Sequence, residues 1–124
     1  MKLSQKEFDK IVTGSIRRIP SEIRGHLDNV LISVQKQPSR KLLKEMGLPS
    51  DHSLLGIYQG VSLMELSSVE PPLYPHTIFL FQKPIEEMCD TIEEIEKQIE
   101  ITVVHEIAHF LGISEERLAE LGYE

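Results

Sequence analysis

Apolar residues near the start of the chain recur with the spacing of a helix. They lie three or four positions apart, as on one face of an α-helix: Phe8, Ile11, Val12 and Ile16. Ser4 and Glu7 have the spacing of a capping box, so we expect this helix to begin at about Ser4. Pro20 is expected to end it, because proline cannot continue a helical hydrogen-bond ladder.

The middle of the chain predicts strands. Three short segments are rich in β-branched, aromatic or other apolar residues: 30–35, 54–61 and 77–81. Between the first two, Ser39–Met46 predicts a short helix that Gly47 ends. Between the last two, the prolines mark a loop: Pro71, Pro72 and Pro75. We therefore expect a small sheet with few strands.

The last third of the chain predicts one long helix. Asp90 and Glu93 have capping-box spacing, and Gly112 would stand just past the helix end. Apolar residues fall within a stripe of about 80° that we expect to face the core: Ile92, Ile95, Ile99, Val103 and Phe110. Ser114 is expected to cap a final short helix. The order of helix, strands and long helix predicts an α+β fold with a mixed or antiparallel sheet, since the strands follow too closely for repeated crossovers.

Composition narrows the class of protein. A chain of 124 residues, 40% hydrophobic and 27% charged, predicts a single globular domain over 1–124. The net charge of −7 argues against non-specific nucleic-acid binding. No apolar run reaches the roughly 20 residues that span a bilayer, so we expect no membrane insertion. A lone Cys89 and the lack of a signal-like apolar block after Met1 predict a cytoplasmic protein.

One segment of the long helix carries candidate chemistry. His105 and His109 lie about 40° apart around the axis, one turn from each other, so both imidazoles can reach one zinc ion. Glu106, between them, is placed to take a proton from water as a general base. A zinc site needs a third protein ligand, and Glu115 is the candidate because the chain can turn back after Gly112.

Several alternatives stay open at this point. The two histidines could instead be structural, because the protonated imidazolium is favoured near the C-terminus of a helix. Glu115 could be an ordinary acid in the first turn of the last helix, and Glu116 is then the alternative ligand. Three other histidines could supply an imidazole but are expected to be surface loop residues: His26, His52 and His76. Tyr123 could donate to an oxyanion if the tail folds over the site, although packing on the surface is the simpler expectation. Cys89 is expected to be structural.

The segment from His105 to Leu118 resembles the bacterial minimal-zincin family, which consists of small, single-domain, zincin-like metallopeptidases. The segments 54–61 and 75–81 look like upstream blocks of that family. The resemblance implies zinc ligands at His105 and His109 and a general base at Glu106. It also implies a ligand three residues after the glycine, commonly Asp, where this chain has Glu115.

The resemblance also sets expectations about the cleft and the activity. Larger zincins have a lower subdomain after the motif helix, whereas twelve residues follow Gly112 here. We therefore expect half of the usual cleft to be missing, with a peptide adding to a sheet edge near Thr77–Phe81 or a partner completing the cleft. The expected function is hydrolysis of peptide bonds by zinc-activated water. The alternative is a non-catalytic, zincin-like binding or regulatory module with weak or absent metal.

Overall fold

A computed structural model describes residues 2–28, 30–49, 54–60 and 76–123. The helices and strands of these residues follow in this order: α1 (Gln5–Arg17), α2 (Ser21–Arg24), a 3₁₀ turn (Gly25–Leu27), β1 (Val30–Gln35), α3 (Arg40–Glu45), β2 (Gly56–Gly60), β3 (His76–Phe81), α4 (Gln82–Met88), α5 (Ile92–Leu111) and α6 (Glu115–Glu120). The predicted α+β fold is confirmed. The prolines of the predicted loop and His52 lie outside the described residues.

The sheet is small and mixed. Its strand order is β1-β3-β2, with β1 parallel and β2 antiparallel to the central strand β3. The expectation that a peptide adds to Thr77–Phe81 is wrong, because β3 is hydrogen-bonded to a strand on both sides. Among the described residues, β2 pairs only with β3, which leaves the other edge of β2 unpaired.

One predicted capping box is confirmed, and the other is wrong. Ser4 Oγ accepts from the Glu7 amide and Glu7 reaches back to the Ser4 amide, as predicted for α1. For α5 the cap is Thr91 rather than Asp90: its hydroxyl accepts from the amide of Glu94. The threonine hydroxyl occupies the capping position one residue later, so the helix begins at Ile92.

Two further helices were not predicted. Pro20 ends α1 as expected, but it also precedes α2, where its fixed φ suits a helix start. Helix α4 follows β3 directly, and its N-cap Phe81 makes no side-chain cap hydrogen bond. Because Phe81 is a strand former and offers no cap, the sequence carries no start signal for α4.

One core joins α1, the sheet and α5. Its fully buried members include Phe8 of α1, Ile78 and Leu80 of β3, and Ile95 and Ile99 of α5. Burial on α5 is wider than the predicted stripe, since the helix lies between α1 and the sheet. The stripe is wrong at Phe110, which is 52% exposed: its ring packs against Tyr58 and His76 rather than in the core.

A close approach fixes the distance between α5 and β2. A Cβ on Gly56 would lie 2.7 Å from Cγ2 of Thr102 and 2.9 Å from the Phe79 carbonyl oxygen. Only glycine therefore fits here without displacing α5 or the sheet. The close contact brings the second half of α5 against β2. Among the described residues, no helix combines the length and apolar character needed to cross a membrane.

Candidate metal centre

The end of α5 carries the two candidate imidazoles. His105 is half-buried, whereas the His109 side chain is 62% exposed. The ring centroids are 6.2 Å apart and the rings meet edge to face at 82°. The spacing of one helical turn thus places both rings side by side, as the sequence predicts.

A sharp turn brings a carboxylate to His109. Gly112 adopts a left-handed φ of 74°, and the Ile113 amide donates to the Ala108 carbonyl over 2.9 Å. This glycine-terminated helix end reverses the chain, and Ser114 then caps α6. Glu115, the first residue of α6, consequently has its Oε1 at 3.8 Å from Nε2 of His109.

Glu106 lies on the side of α5 that faces β2. Its Oε1 accepts a hydrogen bond of 3.1 Å from the Tyr58 amide, while Oε2 is 3.9 Å from Nδ1 of His109. Burial raises the pKa of Glu106, and the Tyr58 hydrogen bond and the two histidines act in the opposite direction. The carboxylate is therefore oriented by the backbone and leaves its second oxygen on the side of His109.

Strand geometry explains how the Tyr58 amide reaches Glu106. The Phe81 amide donates to the Leu55 carbonyl, so the polar groups of Leu55 point toward β3. Amide directions alternate along a strand, and the Tyr58 amide therefore points away from β3, toward the unpaired edge. The Tyr58 amide on that edge donates its hydrogen bond to Oε1 of Glu106.

The donor types suit zinc, but the described side chains are not gathered around one point. Zinc takes imidazole and carboxylate ligands, and two ligand atoms on a tetrahedral ion lie about 3.3 Å apart for bonds of about 2.0–2.1 Å. The 3.8 Å between His109 and Glu115 is close to that separation. His105 is instead directed at the tail: its Nε2 is 3.2 Å from the Tyr123 carbonyl oxygen. Within the described ranges, no three metal-binding side chains form a group that could hold an ion.

A family model of zincin-like metallopeptidases matches residues 27–123. The chain belongs to this family. The matched range runs from the end of the 3₁₀ turn to the tail tyrosine and contains the whole candidate centre of the zincin-like protein. The resemblance seen in the sequence is thus confirmed at the level of the family.

The overall fold also resembles a solved structure. The chain is similar to a conserved hypothetical protein from Thermus thermophilus, with a TM-score of 0.53 and 18% identity. The match covers 94% of this chain and 98% of that one, and at this identity it shows the fold alone. No curated protein matches the zincin-like sequence.

The other histidines of the zincin-like chain differ in their surroundings. His26 is exposed in the 3₁₀ turn, as expected of a surface residue. His76 does not lie in a loop: it begins β3, is half-buried, and its Nδ1 contacts the Tyr58 hydroxyl. The strand extends one residue further toward the N-terminus than predicted, which draws His76 into the sheet.

Aromatic rings form one wall beside Glu106. The Tyr58 ring stacks on Phe110 at 4.7 Å and on His76 at 5.6 Å between centroids. Sequence reasoning missed Tyr58 as a site residue. A signal was present, because Gly56 and Gly60 flank it at alternate positions, and glycines on one face of a strand mark a close approach of other groups.

Tyr123 and Cys89 are both buried. The Tyr123 side chain is 3% exposed, so it neither packs on the surface nor reaches an oxyanion: its hydroxyl donates to Oε1 of Glu100 over 2.5 Å. Burial and Glu100 raise the pKa of Tyr123. Burial, with nearby Glu94 and Asp90, also raises the pKa of Cys89, which favours the inert thiol. Glu116 is exposed on α6 beside Glu115.

Proposed function

We propose that this single zincin-like domain is a zinc-dependent metallopeptidase, with His105, His109 and Glu115 as metal ligands and Glu106 as general base. One observation carries the proposal: a half-buried carboxylate stands between two histidines, held by a backbone amide and with its pKa raised by burial. A raised pKa brings a carboxylate closer to the value that suits proton transfer at neutral pH. A solvent-exposed acid without a catalytic role would require neither the backbone hydrogen bond nor the raised pKa.

Glu106 would move the proton. Its Oε1 is taken by the Tyr58 amide, so Oε2 is the atom that accepts a proton from the attacking water. The water oxygen forms a bond to the peptide carbonyl carbon, the carbon–nitrogen bond breaks, and Glu106 returns the proton to the leaving amine. Zinc, when bound, supplies Lewis-acid activation of water and carbonyl.

Among the described residues no strand pairs with the outer edge of β2, and this edge supports a peptide as substrate. An extended peptide can add to a free strand edge through main-chain hydrogen bonds. The edge in question contains the Tyr58 amide that orients Glu106, so a peptide on it would pass close to the base. The exposed ring of Phe110, stacked on Tyr58, offers an apolar surface to a substrate side chain.

A second function has one observation in its favour. The described donors do not converge on a point, as a module with weak or absent metal would show. Such a module, however, needs no oriented and half-buried carboxylate at Glu106. Zinc content and peptide cleavage therefore separate the two functions.

The test measures bound zinc and cleavage of a broad peptide library for the wild type and three variants. We expect near-stoichiometric zinc in the wild type and its loss in His109→Ala. Glu106→Gln should keep zinc and lose about 10²–10⁴-fold in rate, the usual contribution of a general base. His26→Ala, which removes another exposed imidazole, is the matched control and should change neither property. Zinc binding without cleavage of any peptide would favour the module, and absence of zinc after reconstitution would exclude the metal site.

A further inference from the structure

A cavity at the carboxyl ends of the two parallel strands shares no lining residue with the candidate metal centre. Strands β1 and β3 end side by side, with Gln35 paired to Phe81, and the Lys83 amide then donates to the Lys36 carbonyl over 2.8 Å. The cavity has a volume of about 540 Å³, within the range of about 300–1,000 Å³ for small-molecule sites. Ligands of open sheets commonly bind just outside the carboxyl ends of parallel strands. The position and the size therefore suit a small ligand.

The segment before α1 is fixed to α4 at one side of this cavity. Oε2 of Glu86 accepts from the Leu3 amide over 2.8 Å and from Nε2 of Gln82 over 3.1 Å. The same Gln82 nitrogen donates to the Leu3 carbonyl over 2.9 Å. Glu86 is only 8% exposed, so these contacts are largely shielded from water. Both backbone polar groups of Leu3 are thus held, and they keep the neighbouring Lys2 at the cavity.

Lysine and glutamine side chains dominate the lining. It contains three lysines, Lys2, Lys36 and Lys83, and three glutamines, Gln5, Gln35 and Gln82, and we call it the lysine cavity. Within the parts of the chain that the structure describes, none of the three ammonium groups forms an ion pair, and Glu86 is the single carboxylate in the lining. Two N–H donors already contact that carboxylate. The cavity is therefore positively charged, in a chain whose formal net charge is −7.

We infer that the lysine cavity binds a small, multiply charged oxyanion, the chemistry that phosphate esters and polycarboxylates share. The lysine ammonium groups supply positive charge, and the glutamine amides add N–H donors for further oxygens. Leu3 and Val34, which also line the cavity, offer an apolar surface to the carbon skeleton of such a compound. The inference goes beyond the proposed peptidase function and requires neither zinc nor cleavage.

Charge should dominate the affinity of the lysine cavity. Three ammonium groups at one cavity repel each other, and an anion among them replaces repulsion by attraction. Exposed charges are screened by salt, so the affinity should fall as the ionic strength rises. A ligand held by apolar contacts alone would not show this dependence.

Isothermal titration calorimetry with pyrophosphate and, separately, with citrate tests the inference on the full chain. The protein is first freed of metal, because both probes chelate cations. We expect saturable binding of one ion per chain, and the probe that binds more tightly shows whether phosphate or carboxylate supplies the charge. No saturable binding of either probe up to about 10 mM would overturn the inference.

Two triple variants with the same change in charge locate the site. The first combines Lys2→Gln, Lys36→Gln and Lys83→Gln and should raise the Kd of the bound probe at least about 10-fold, because it removes all three cations from the cavity. The second combines Lys10→Gln, Lys41→Gln and Lys44→Gln, which are exposed lysines outside the cavity, and should stay within about 2-fold of wild type. Equal losses in the two variants would mean that net charge alone attracts the ion, and would overturn the inference.

Two further readouts are independent of the lysine variants. The side-chain amide NMR signals of Gln35 and Gln82 should shift during the titration, whereas that of Gln98 on α5 should not. Glu86→Gln keeps an acceptor oxygen for the Leu3 amide and removes the negative charge of the lining, so it should tighten binding about 2–5-fold. Weaker binding in Glu86→Gln, or shifts confined to other glutamines, would overturn the inference. None of these results depends on zinc, so they leave the proposed function untouched.

Discussion

Glu106 is kept in surroundings that disfavour its charge. Burial raises the pKa of its carboxyl above the unfolded value, and the hydrogen bond from the Tyr58 amide recovers only part of the lost hydration. A carboxyl whose pKa is raised on folding stabilises the protein fully below its unfolded pKa of about 4.3. That contribution to the free energy of unfolding is lost as the pH rises through the pKa of Glu106 in the folded protein. At neutral pH the ionised Glu106 therefore lowers the stability of the fold.

Glu106→Gln should therefore raise the melting temperature of the zinc-free protein at neutral pH. The amide is neutral, and its oxygen can still accept from Tyr58. The gain should vanish below about pH 4, where the wild-type carboxyl is protonated in both states. Glu115→Gln, on a side chain that is 73% exposed, is the control and should change stability by less than about 0.5 kcal/mol. A lower melting temperature for Glu106→Gln at neutral pH would contradict this account.

Candidate site residues could be identified from the sequence only where the spacing is local. His105, Glu106 and His109 follow from helical geometry within five positions, and Glu115 from a glycine-terminated helix. Tyr58 acts through its backbone amide: the flanking glycines, Gly56 and Gly60, indicate a close approach at this strand but do not identify the group that approaches. The contact of Tyr123 with His105 depends on where the tail docks, and that is decided by tertiary packing.

The two longest helices were predicted well because they carry their own signals. Helix α1 has a complete capping box, and α5 ends at a glycine with a left-handed φ. Helix α4 has neither, since it continues directly from β3 and is held by burial of Pro84 and Ile85. Strand order could not be predicted from the sequence either: an apolar run such as 77–81 can form a central or an edge strand, and only the pairing with β1 and β2 makes β3 central.

At the scale of elements, the spacing between α5 and β2 should depend on Gly56. Gly56→Ala would place a Cβ within 3 Å of Thr102 and of the Phe79 backbone, forcing the helix and strand apart. We expect a loss of about 1–3 kcal/mol in the free energy of unfolding, measured by urea denaturation, as for other overpacked sites. The displaced Tyr58 amide should also release Glu106.

The matched control for that variant is Gly14→Ala. Gly14 lies inside α1 with nothing within 4 Å of an added Cβ. Alanine there should stabilise the protein by about 0.5–1 kcal/mol, since it lowers the entropy of the unfolded chain and favours the helix. If Gly56→Ala and Gly14→Ala changed the free energy of unfolding in the same direction, the close approach of α5 and β2 would not explain the effect of Gly56→Ala.

At the scale of the whole molecule, zinc binding should be coupled to folding. The proposed ligands come from the end of α5 and the start of α6, and the tail that contacts His105 continues from α6, so an ion held there would tie the last third of the chain together. A ligand that binds only the folded state stabilises it by about 2.7 kcal/mol at 100 times its Kd. For a chain of this size the melting temperature should rise by roughly 10 °C.

Scanning calorimetry with and without zinc measures this coupling directly. A chelator should return the wild type to its zinc-free melting temperature, and His109→Ala should melt at one temperature in both conditions. His26→Ala should respond to zinc as the wild type does, because its imidazole lies outside the centre. If wild type and His109→Ala showed the same zinc response, the stabilising ion would be bound elsewhere. Because this readout requires no substrate, it tests the metal centre of the zincin-like protein even where no cleavable peptide has been found.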